Sequence, residues 1–596
     1  MAGTHQYSNL VEVLERSVQQ HGDRNLFGVK AGGDWRWHTY QEFGAWVDQF
    51  RGGLASLGVG SGDRVAVISN NRIEWAVGAY ATYGLRALYV PMYEAQLPKE
   101  WKYILEDCGA KILLVANQSI AEKVKDFPKE IASLERVVAF DGSPQDPTSY
   151  AGLLAAGKAK PRASQQPAPG DTAGLIYTSG TTGKPKGVVL SHGNIASNIN
   201  AIHALFPLQT DDVSLSFLPW AHSFGQTVEL HGMLSMGASM GICEAVEKLI
   251  DNLAEVRPTV LFAVPRIFNR IYDGLNKKIE ADSPFRKKLF RAALANSELR
   301  RELESRGQSS GWADFKHGLF DRLVFSKVKA RFGGRLKYAI SGGAALSTEV
   351  AKFIDNVGIM VFEGYGLTET SPIATANSPG ARRIGSVGKA VPGVEVRIDL
   401  GANEENDGRV GEVQVHGPNV MQGYYNLPDE TAKVMTEDGW FRTGDLGYKE
   451  ADGFVYITGR IKEQYKLENG KYVAPAPLEE QLKLSGFIAS AMVYGANRPY
   501  NVALLVPDFD ALRGWAKAQG IDKSGRALLD DERVLTLFRA EIDKTLSDSK
   551  GFEGVRKFRL IEEDFTTAND MLTPKMSLKR RNVIKAYEGE LNQLYS

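Results

Sequence analysis

The sequence predicts an α/β protein with a large N-terminal domain of layered α/β sheets and a smaller, mobile α+β C-terminal domain. Short apolar runs alternate with amphipathic helical stretches through most of the first four hundred residues, as in sheets covered by helices. From about Val394 the pattern changes to short strands with tight turns, which predicts a small antiparallel β unit. A chain of 596 residues is also too long for one ordinary core, so at least two domains are expected.

The apolar runs have the length and β-branched content of buried strands. In the first part of the chain they are "RVAVIS", "ALYVPM", "KILLVA", "RVVAF", "AGLIYT", "SLSFLP", "TVLFAV", "LKYAISG" and "IMVFEGYG". The helical stretches between them include "PKEWKYILEDCG" and "VEKLIDNLAEV", and the antiparallel unit contains "VEVRID", "GEVQVHG" and "FVYITG". We predict an N-terminal domain over residues 1–460 and a mobile C-terminal lid domain over residues 461–596.

Composition and charge exclude several protein classes. The formal net charge is +0, so no overall field attracts the chain to nucleic acid, and no nucleic-acid partner is expected. Two separated cysteines, Cys108 and Cys243, exclude a disulfide scaffold and fit a reducing compartment. The start of the chain lacks the pattern of a signal peptide, and no apolar run is long enough to span a bilayer. These features predict a cytoplasmic enzyme.

One segment departs from this neutral balance. Between Lys277 and Lys337 there are sixteen Lys or Arg residues and seven Asp or Glu residues, a net charge of about +9. Its pattern is helical, and we call residues 273–335, approximately, the basic insert. One interpretation is the solvated face of a helical bundle. The alternative is a surface that makes peripheral contact with the inner face of an anionic membrane.

The segment "LIYTSGTTGKPKGVVLSHGN" contains a glycine-rich loop between a predicted strand and a predicted helix that Ser191 would cap. Such loops expose backbone N–H groups, on which anions bind. Hydroxyl side chains and two lysines add donors and positive charge, so the loop is predicted to hold phosphate. It is not a Walker loop, because Thr178 stands where the first glycine is required and Pro185 follows Gly183-Lys184.

The stretch "YTSGTTGKPKGV" resembles the phosphate loop of the acyl-adenylate-forming enzymes, which include acyl-CoA synthetases, luciferases and peptide-synthetase adenylation domains. Four further stretches resemble this superfamily's motifs in the same order: "EGYGLTETSP", "GWFRTGDLG", "ITGRIKEQYKLENGKYVAP" and "MLTPKMSLKRRN". The resemblance therefore covers nearly the whole chain. The helical insert and the form of "YKLENGKYVAP" resemble the long-chain fatty acyl-CoA synthetase branch.

This resemblance implies an AMP-forming ligase that uses ATP, Mg²⁺ and coenzyme A. A fatty acid, long-chain by the resemblance, would be converted to acyl-adenylate with release of pyrophosphate and then transferred to CoA after rotation about a hinge near Lys462. A second enzyme hypothesis is an acyl-adenylate ligase that loads a carrier protein. A hypothesis of another class is a non-catalytic protein that binds nucleotide and an acyl chain.

The resemblance also implies roles for individual residues around the phosphates. Thr181 and Glu369 match the magnesium and catalytic positions, and hard oxygen ligands suit that ion. The residues that would surround the β- and γ-phosphates are Thr178, Ser179, Gly180, Thr182, Gly183, Lys184 and Lys186.

Other positions would bind the adenosine. Tyr365 matches the residue that stacks on adenine, Glu363 the position at its exocyclic amine, Asp445 the acceptor for the two ribose hydroxyls, and Arg460 its partner at the domain junction. The remaining predicted nucleotide-binding residues are Gly342, Gly343, Ala344, Gly364, Gly366, Thr368 and Gly470.

His222 matches a position near the reacting carboxylate, although an ordinary core histidine is an open alternative. The acyl tunnel is expected beside it, with Phe224 in its lining. Some bacterial relatives close this tunnel with a tryptophan just after the histidine, but Gln226 stands at roughly that place. A tryptophan gate is therefore not expected.

The terminal motif departs from the family pattern, because Ser577 occupies the position of the usual adenylation lysine. Lys575 and Lys579 flank it two residues away on either side, and in an extended segment such positions point to the same side. We expect Lys575 to supply the missing charge, with Lys579 as the alternative.

Overall fold

The structure is a computed structural model that describes residues 6–178, 184–280, 282–402, 408–547, 549–573 and 576–596. In these ranges the strands, in chain order, are β1 (Asn25–Ala31), β2 (Asp34–Thr39), β3 (Arg64–Ile68), β4 (Leu88–Met92), β5 (Ile112–Val115), β6 (Arg136–Ala139), β7 (Thr172–Thr178), β8 (Lys186–Ser191), β9 (Val213–Ser216), β10 (Ser239–Ile242), β11 (Val260–Ala263), β12 (Tyr338–Ser341), β13 (Met360–Gly366), β14 (Ile373–Ala376), β15 (Lys389–Ala390), β16 (Glu395–Asp399), β17 (Gly411–His416), β18 (Gly423–Tyr424), β19 (Phe441–Lys449), β20 (Val455–Arg460), β21 (Tyr465–Lys466), β22 (Tyr472–Val473), β23 (Ile488–Tyr494), β24 (Asn501–Pro507) and β25 (Val555–Leu560).

The α-helices in the same ranges are α1 (Leu10–His21), α2 (Tyr40–Ser56), α3 (Ile73–Tyr83), α4 (Pro98–Cys108), α5 (Gln118–Val124), α6 (Phe127–Glu130), α7 (Tyr150–Ala159), α8 (His192–Leu205), α9 (Gly232–Ser235), α10 (Leu249–Val256), α11 (Pro265–Glu280), α12 (Pro284–Ser305), α13 (Gly311–Phe320), α14 (Ser326–Arg331), α15 (Thr348–Asn356), α16 (Pro428–Val434), α17 (Pro475–Leu482), α18 (Phe509–Ala518), α19 (Gly525–Leu529), α20 (Glu532–Thr545), α21 (Arg580–Ala586) and α22 (Glu588–Gln593). Two stretches, Phe224–His231 and Asp321–Phe325, are π-helical.

Three mixed sheets with helices against them form most of the first four hundred residues. Their strand orders are β18-β8-β7-β4-β3-β5-β6, β2-β1-β10-β9 and β11-β12-β13-β14-β15. Strands β7 to β6 in the first and β11 to β13 in the third are parallel. The carboxyl ends of β11, β12 and β13 therefore lie along one edge, where ligands bind in open α/β sheets.

The predicted antiparallel unit is present as the sheet β16-β17-β19-β20, in which all neighbours run antiparallel. Its inner face contributes Val396, Val413, Val415 and Val455 to a buried cluster. This alternation of buried and exposed residues follows from the period of two along a strand. Together with the layered sheets, the unit confirms the predicted fold class.

Each of the predicted strands is observed, but the structure has further strands that the apolar runs do not predict, among them β8. The glycine-rich loop joins β7 to the antiparallel strand β8, with Thr178 paired to Lys186, rather than leading directly into a helix. The reason is that "KGVVLS" carries β-branched residues that become buried against β7. Helix α8 begins only after Ser191. Ser191 is its N-cap residue and forms a capping box with Asn194.

The C-terminal stretch has apolar clusters of its own. All buried members of two clusters lie between Leu467 and Leu591, around the sheet β23-β24-β25. We therefore propose that a domain boundary lies near Arg460, where the sequence predicts it. Among the described helices, none combines the length and the apolar character needed to cross a bilayer.

Candidate active site

A buried carboxylate, Asp445, lies where the antiparallel unit meets the third mixed sheet. Asp445 on β19 is opposite Arg460 on β20 in the register of the two strands. The Arg460 Nε–H donates to Asp445 Oδ1 at 2.8 Å, and the Tyr365 hydroxyl, at the end of β13, donates to Oδ2 at 2.7 Å. Asp445 is only 3% exposed. The structure thus brings together three residues that the sequence predicts to bind adenosine.

The ionisation of Asp445 is decided by a balance of opposing effects. Burial raises the pKa of its carboxyl group, whereas Arg460 and the Tyr365 hydroxyl lower it. The net effect of the surroundings is a raised pKa, and the two donors limit the rise. Each carboxylate oxygen has a second lone pair after accepting one hydrogen bond, so Asp445 retains the capacity to accept two hydroxyl groups of a sugar.

Glu363 orients the glycine-containing turn that follows β12. Its Oε1 accepts a hydrogen bond from the Leu346 N–H at 3.3 Å, and its main-chain oxygen accepts one from the Asn377 N–H at 2.8 Å. Burial raises the pKa of Glu363 to about 7. The carboxyl group therefore stabilises the turn containing Gly342, Gly343 and Ala344, and its predicted contact with the adenine amine stays a prediction.

The His222 segment lies against this turn. A Cβ atom on Gly342 would be 3.3 Å from the Phe224 ring, so glycine permits the close approach. The Phe224 N–H donates to Nδ1 of His222 at 3.1 Å. This contact fixes the orientation of the imidazole ring. Phe224, predicted to line the tunnel, begins a π-helix, a feature common at functional sites.

Glu369 lies in the 3₁₀ turn after β13, half-buried, and its Oε1 accepts the Tyr424 hydroxyl hydrogen at 3.0 Å. The Lys186 ammonium is 5.0 Å from the centre of the Tyr424 ring and forms an ion pair with Glu430. Among the described residues, no group of three His, Cys, Asp or Glu side chains forms a protein-only metal cage. A single carboxylate together with phosphate and water oxygens would suit Mg²⁺, and the assignment of Glu369 to this ion stays a prediction.

The tip of the phosphate loop lies outside the described residues. This applies to Thr181, predicted as a magnesium ligand, and to Ser179, Gly180, Thr182 and Gly183. Thr178 and Lys186 form the base of the hairpin. Lys184 follows the tip, with its Nζ 5.1 Å from the centre of the Tyr103 ring on α4.

The terminal motif is folded back, so the extended conformation expected for it is wrong. Leu572 and Leu578 form an antiparallel bridge, and Met576 has a φ of +63°. The turn is stabilised by hydrogen bonds between Thr573 and Ser577: the Thr573 N–H donates to the Ser577 carbonyl at 2.8 Å, and the Ser577 N–H donates to Thr573 Oγ1 at 3.2 Å.

Of the two candidate lysines in this motif, Lys575 lies outside the described residues. Lys579 is 2.5 Å from Asp570 Oδ1 and 3.6 Å from Glu100 Oε1 at the start of α4. The C-terminal stretch thus contacts the same helix as Lys184, whose ammonium lies over the Tyr103 ring.

The remaining predicted positions have mainly backbone roles. Gly364 and Gly366 lie on β13, and a Cβ on Gly366 would be 1.8 Å from the Pro372 carbonyl oxygen, which only glycine permits. Thr368 is buried in the following turn. Gly470 occupies the turn between β21 and β22 with a φ of +85°, and its predicted contact with a cofactor stays a prediction.

Comparison with known proteins decides the family. The AMP-binding enzyme family matches residues 14–425, and its C-terminal domain family matches residues 462–596. The chain belongs to the AMP-binding enzyme family. This confirms the resemblance on which the sequence-based site prediction rests.

Curated relatives of this AMP-binding enzyme match over most of their length. The long-chain-fatty-acid–CoA ligase FadD15 of Mycobacterium tuberculosis is 34% identical over 560 residues, covering 91% of this chain and 90% of the relative. The peroxisomal long chain acyl-CoA synthetase 7 of Arabidopsis thaliana is 33% identical, covering 95% of this chain and 82% of the relative.

Among solved structures, the adenylation domain of a Mycobacterium chelonae carboxylate reductase superposes with a TM-score of 0.79 at 22% identity, covering 98% of this chain and 91% of that one. The anthranilate CoA ligase AuaEII, in complex with anthranoyl-AMP, gives a TM-score of 0.74 at 20% identity, covering 98% of both chains. These structures share the fold.

Sequence reasoning missed two residues of the candidate site. Tyr424 contacts Glu369 and Lys186, and Glu430 pairs with Lys186. Both lie about 240 residues after Lys186 in the chain. The aromatic pair in "MQGYYNLPDE" was the available signal, but only the pairing of β18 with β8 brings it to the site.

Proposed function

We propose that this AMP-binding enzyme activates a long-chain fatty acid with ATP and transfers the acyl group to coenzyme A. The observation that supports it most directly is the buried Asp445 carboxylate held by Tyr365 and Arg460 beside the Gly342 turn. The names of the relatives at 33–34% identity over more than nine tenths of the chain support the substrate class and the acceptor.

In the first half-reaction a fatty carboxylate oxygen attacks the α-phosphorus of ATP, the bond to the bridging oxygen breaks, and pyrophosphate leaves. Asp445 holds the ribose, and the Gly342 turn leaves space for the adenosine. Lys184 and the hairpin tip that it follows bind the β- and γ-phosphates. The catalyst's task is positioning and neutralisation of charge rather than covalent chemistry.

We assign His222 to the acyl side of the site, because Phe224, two residues away, lies close to Gly342. The Phe224 N–H donates to Nδ1 of the ring, and the proposal assigns His222 to the carboxylate oxygen that does not attack. Glu369 would hold Mg²⁺, which would neutralise charge on the ATP phosphates. The proposal includes Thr181 as the second ligand.

In the second half-reaction the CoA thiol, losing its proton, attacks the acyl carbonyl carbon, and AMP leaves with the electron pair of the anhydride bond. The C-terminal domain rotates between the steps. Lys462, exposed in the 3₁₀ turn Ile461–Glu463 directly after Arg460, is the proposed hinge. The Lys579–Glu100 contact belongs to the arrangement in which the terminal motif faces α4.

A panel of fatty acids of increasing chain length, assayed for AMP and CoA thioester together, tests the proposal. We expect both products in equal amounts, with a maximum at long chains. Supplying acyl-adenylate with either CoA or an acyl carrier protein identifies the acceptor, and carrier acylation alone would favour the carrier-loading alternative. Absence of pyrophosphate exchange with every fatty acid would favour a non-catalytic protein.

The proposal includes a cytoplasmic location and peripheral contact between the basic insert and anionic membrane. Its support is the net charge of about +9 on the segment from Lys277 to Lys337. Replacing Arg286, Lys287, Lys288 and Arg291 together by Glu should weaken binding to acidic vesicles, most strongly at low salt. If this variant sediments with acidic vesicles as wild type does, the basic residues of the insert form an ordinary solvated helix face.

A further inference from the structure

An exposed apolar face runs along α13 and the π-helical turn that follows it. Trp312 is 64% exposed, Phe315 65%, Leu319 50% and Leu323 48%. Their spacing of three or four residues places them on one side of the helix. Exposed apolar residues scattered singly need no explanation, but a contiguous row of four large ones marks an interaction surface. We call these four residues the α13 face.

The opposite side of the same segment is packed into the protein. Ala313, Phe325 and Val328 are buried, and the Asn296 side chain of α12 donates to the Ala313 carbonyl at 3.0 Å. The segment is therefore anchored through its inner side. The contact between this segment and the rest of the domain is made by its inner side. The outward side chains are therefore not part of the core of the domain.

The charges around the α13 face are arranged by sign. Lys316 lies beside it, with Nζ 4.9 Å from the centre of the Trp312 ring, and Arg322 is exposed next to Leu323. Each of the two acidic residues of the segment forms an ion pair with a basic residue of another helix. Asp314 pairs with Arg300 at 2.7 Å, and Asp321 pairs with Lys329 at 2.6 Å.

The aromatic rings have the form expected at a lipid–water boundary. Trp312 and Phe315 stack with ring centroids 5.8 Å apart and planes within 11°. Tryptophan and phenylalanine with leucine on one helix face, and Lys or Arg beside them, are typical of helices that lie in the membrane interface. The basic residues beside the apolar row suit the anionic headgroups of such an interface.

We propose that the α13 face inserts into the interface of an anionic lipid bilayer, with Lys316 and Arg322 at the headgroups. The occupant is a lipid surface because the apolar row is bordered by cations and lies within a segment of net charge about +9. This goes beyond attraction by charge, since insertion of Trp312 and Phe315 persists where salt screens charges. Lipid binding itself is independent of the proposed chemistry; the benefit of meeting fatty acid at the bilayer rests on the proposed function.

The test uses the full chain and vesicles of phosphatidylcholine with or without phosphatidylglycerol. We expect the double variant Trp312→Gln/Phe315→Gln to lose at least tenfold in partitioning onto the acidic vesicles at physiological salt. The matched control is Met360→Gln, which changes an apolar residue that is 46% exposed outside the insert, and it should bind as wild type does. Adenylation of a fatty acid supplied in soluble form should be unchanged in both variants, which shows that they are folded.

A second measurement reports insertion directly. Brominated lipids should quench wild-type tryptophan fluorescence more than that of Trp312→Phe. Equal quenching of the two proteins, or equal partitioning of the double variant and wild type, would overturn the proposal. Self-association of wild type that the double variant lacks, seen as a dimer mass without vesicle binding, would instead identify a second copy as the occupant.

Discussion

Replacing Asp445 by Asn tests the most specific assignment in the site. The variant keeps the shape of the side chain and removes its charge. A hydrogen bond to a charged group contributes about 1.5–3 kcal/mol, and one between neutral groups about 0.5–1.5 kcal/mol. Two ribose hydroxyls would therefore lose roughly 2–3 kcal/mol in all, which corresponds to a rise of roughly 30- to 150-fold in the KM for ATP.

The structure also indicates why this variant should fold. The Arg460 side chain is 52% exposed, so its guanidinium can turn to water when the carboxylate is neutralised. The Asn oxygen can still accept the Tyr365 hydroxyl. A matched control is Asp438→Asn, which removes a charge paired with Arg397 at the exposed edge of the same antiparallel unit.

The assay is pyrophosphate exchange with ATP and fatty acid varied separately. We expect the KM for ATP to rise in Asp445→Asn and the KM for fatty acid to change by less than threefold, with the control near wild type. Equal changes in both constants would mean that Asp445 is structural. An unchanged KM for ATP would refute its assignment to the ribose.

Three further predictions concern single side chains. Glu369→Gln should abolish adenylation in a folded protein, because the metal loses a charged ligand; near-normal activity at limiting magnesium would contradict this. Lys575→Ala should slow acyl-adenylate formation at least tenfold, about 1.4 kcal/mol, and spare thioester formation from supplied acyl-adenylate. Lys579→Ala should slow adenylate formation by a smaller factor. Normal adenylation by the double variant would mean that both lysines are dispensable. Burial raises the pKa of Glu229 from 4.5 to about 8, so the native state holds a proton that the unfolded state releases, and stability falls as pH rises between these values. Glu229→Gln should therefore gain Tm over wild type as the pH rises from 5 to 8, and a constant difference across that range would be the contrary result.

Local patterns determined much of the fold. Apolar runs predicted β3 to β7, β9, β11 to β13, β16, β17 and β20, and Ser191 was correctly placed as the cap of α8. Strand burial and helix capping depend on neighbours within a few residues. β8 lies outside that prediction although its residues favour a strand, because a glycine-rich loop also connects strands directly to helices. The extended form expected for the terminal motif failed because the turn depends on the pairing of Leu572 with Leu578.

The family motifs in the sequence named Tyr365, Asp445 and Arg460, but their geometry is tertiary. Arg460 meets Asp445 through the register of β19 and β20, and Tyr365 arrives from 80 residues earlier in the chain. Register between strands is set by the whole sheet and its core. For the same reason Tyr424 could not be assigned to Glu369 before β18 was seen to pair with β8.

The basic insert shows the same division between composition and structure. Its sequence alone determined its helical character and its positive charge. Which side of α13 faces solvent was decided only by packing, because Ala313 and Phe325 are buried by neighbouring elements while Trp312 and Phe315 are not. A helical period in the sequence predicts that a helix has an apolar face. The tertiary structure decides whether that face is covered by other elements.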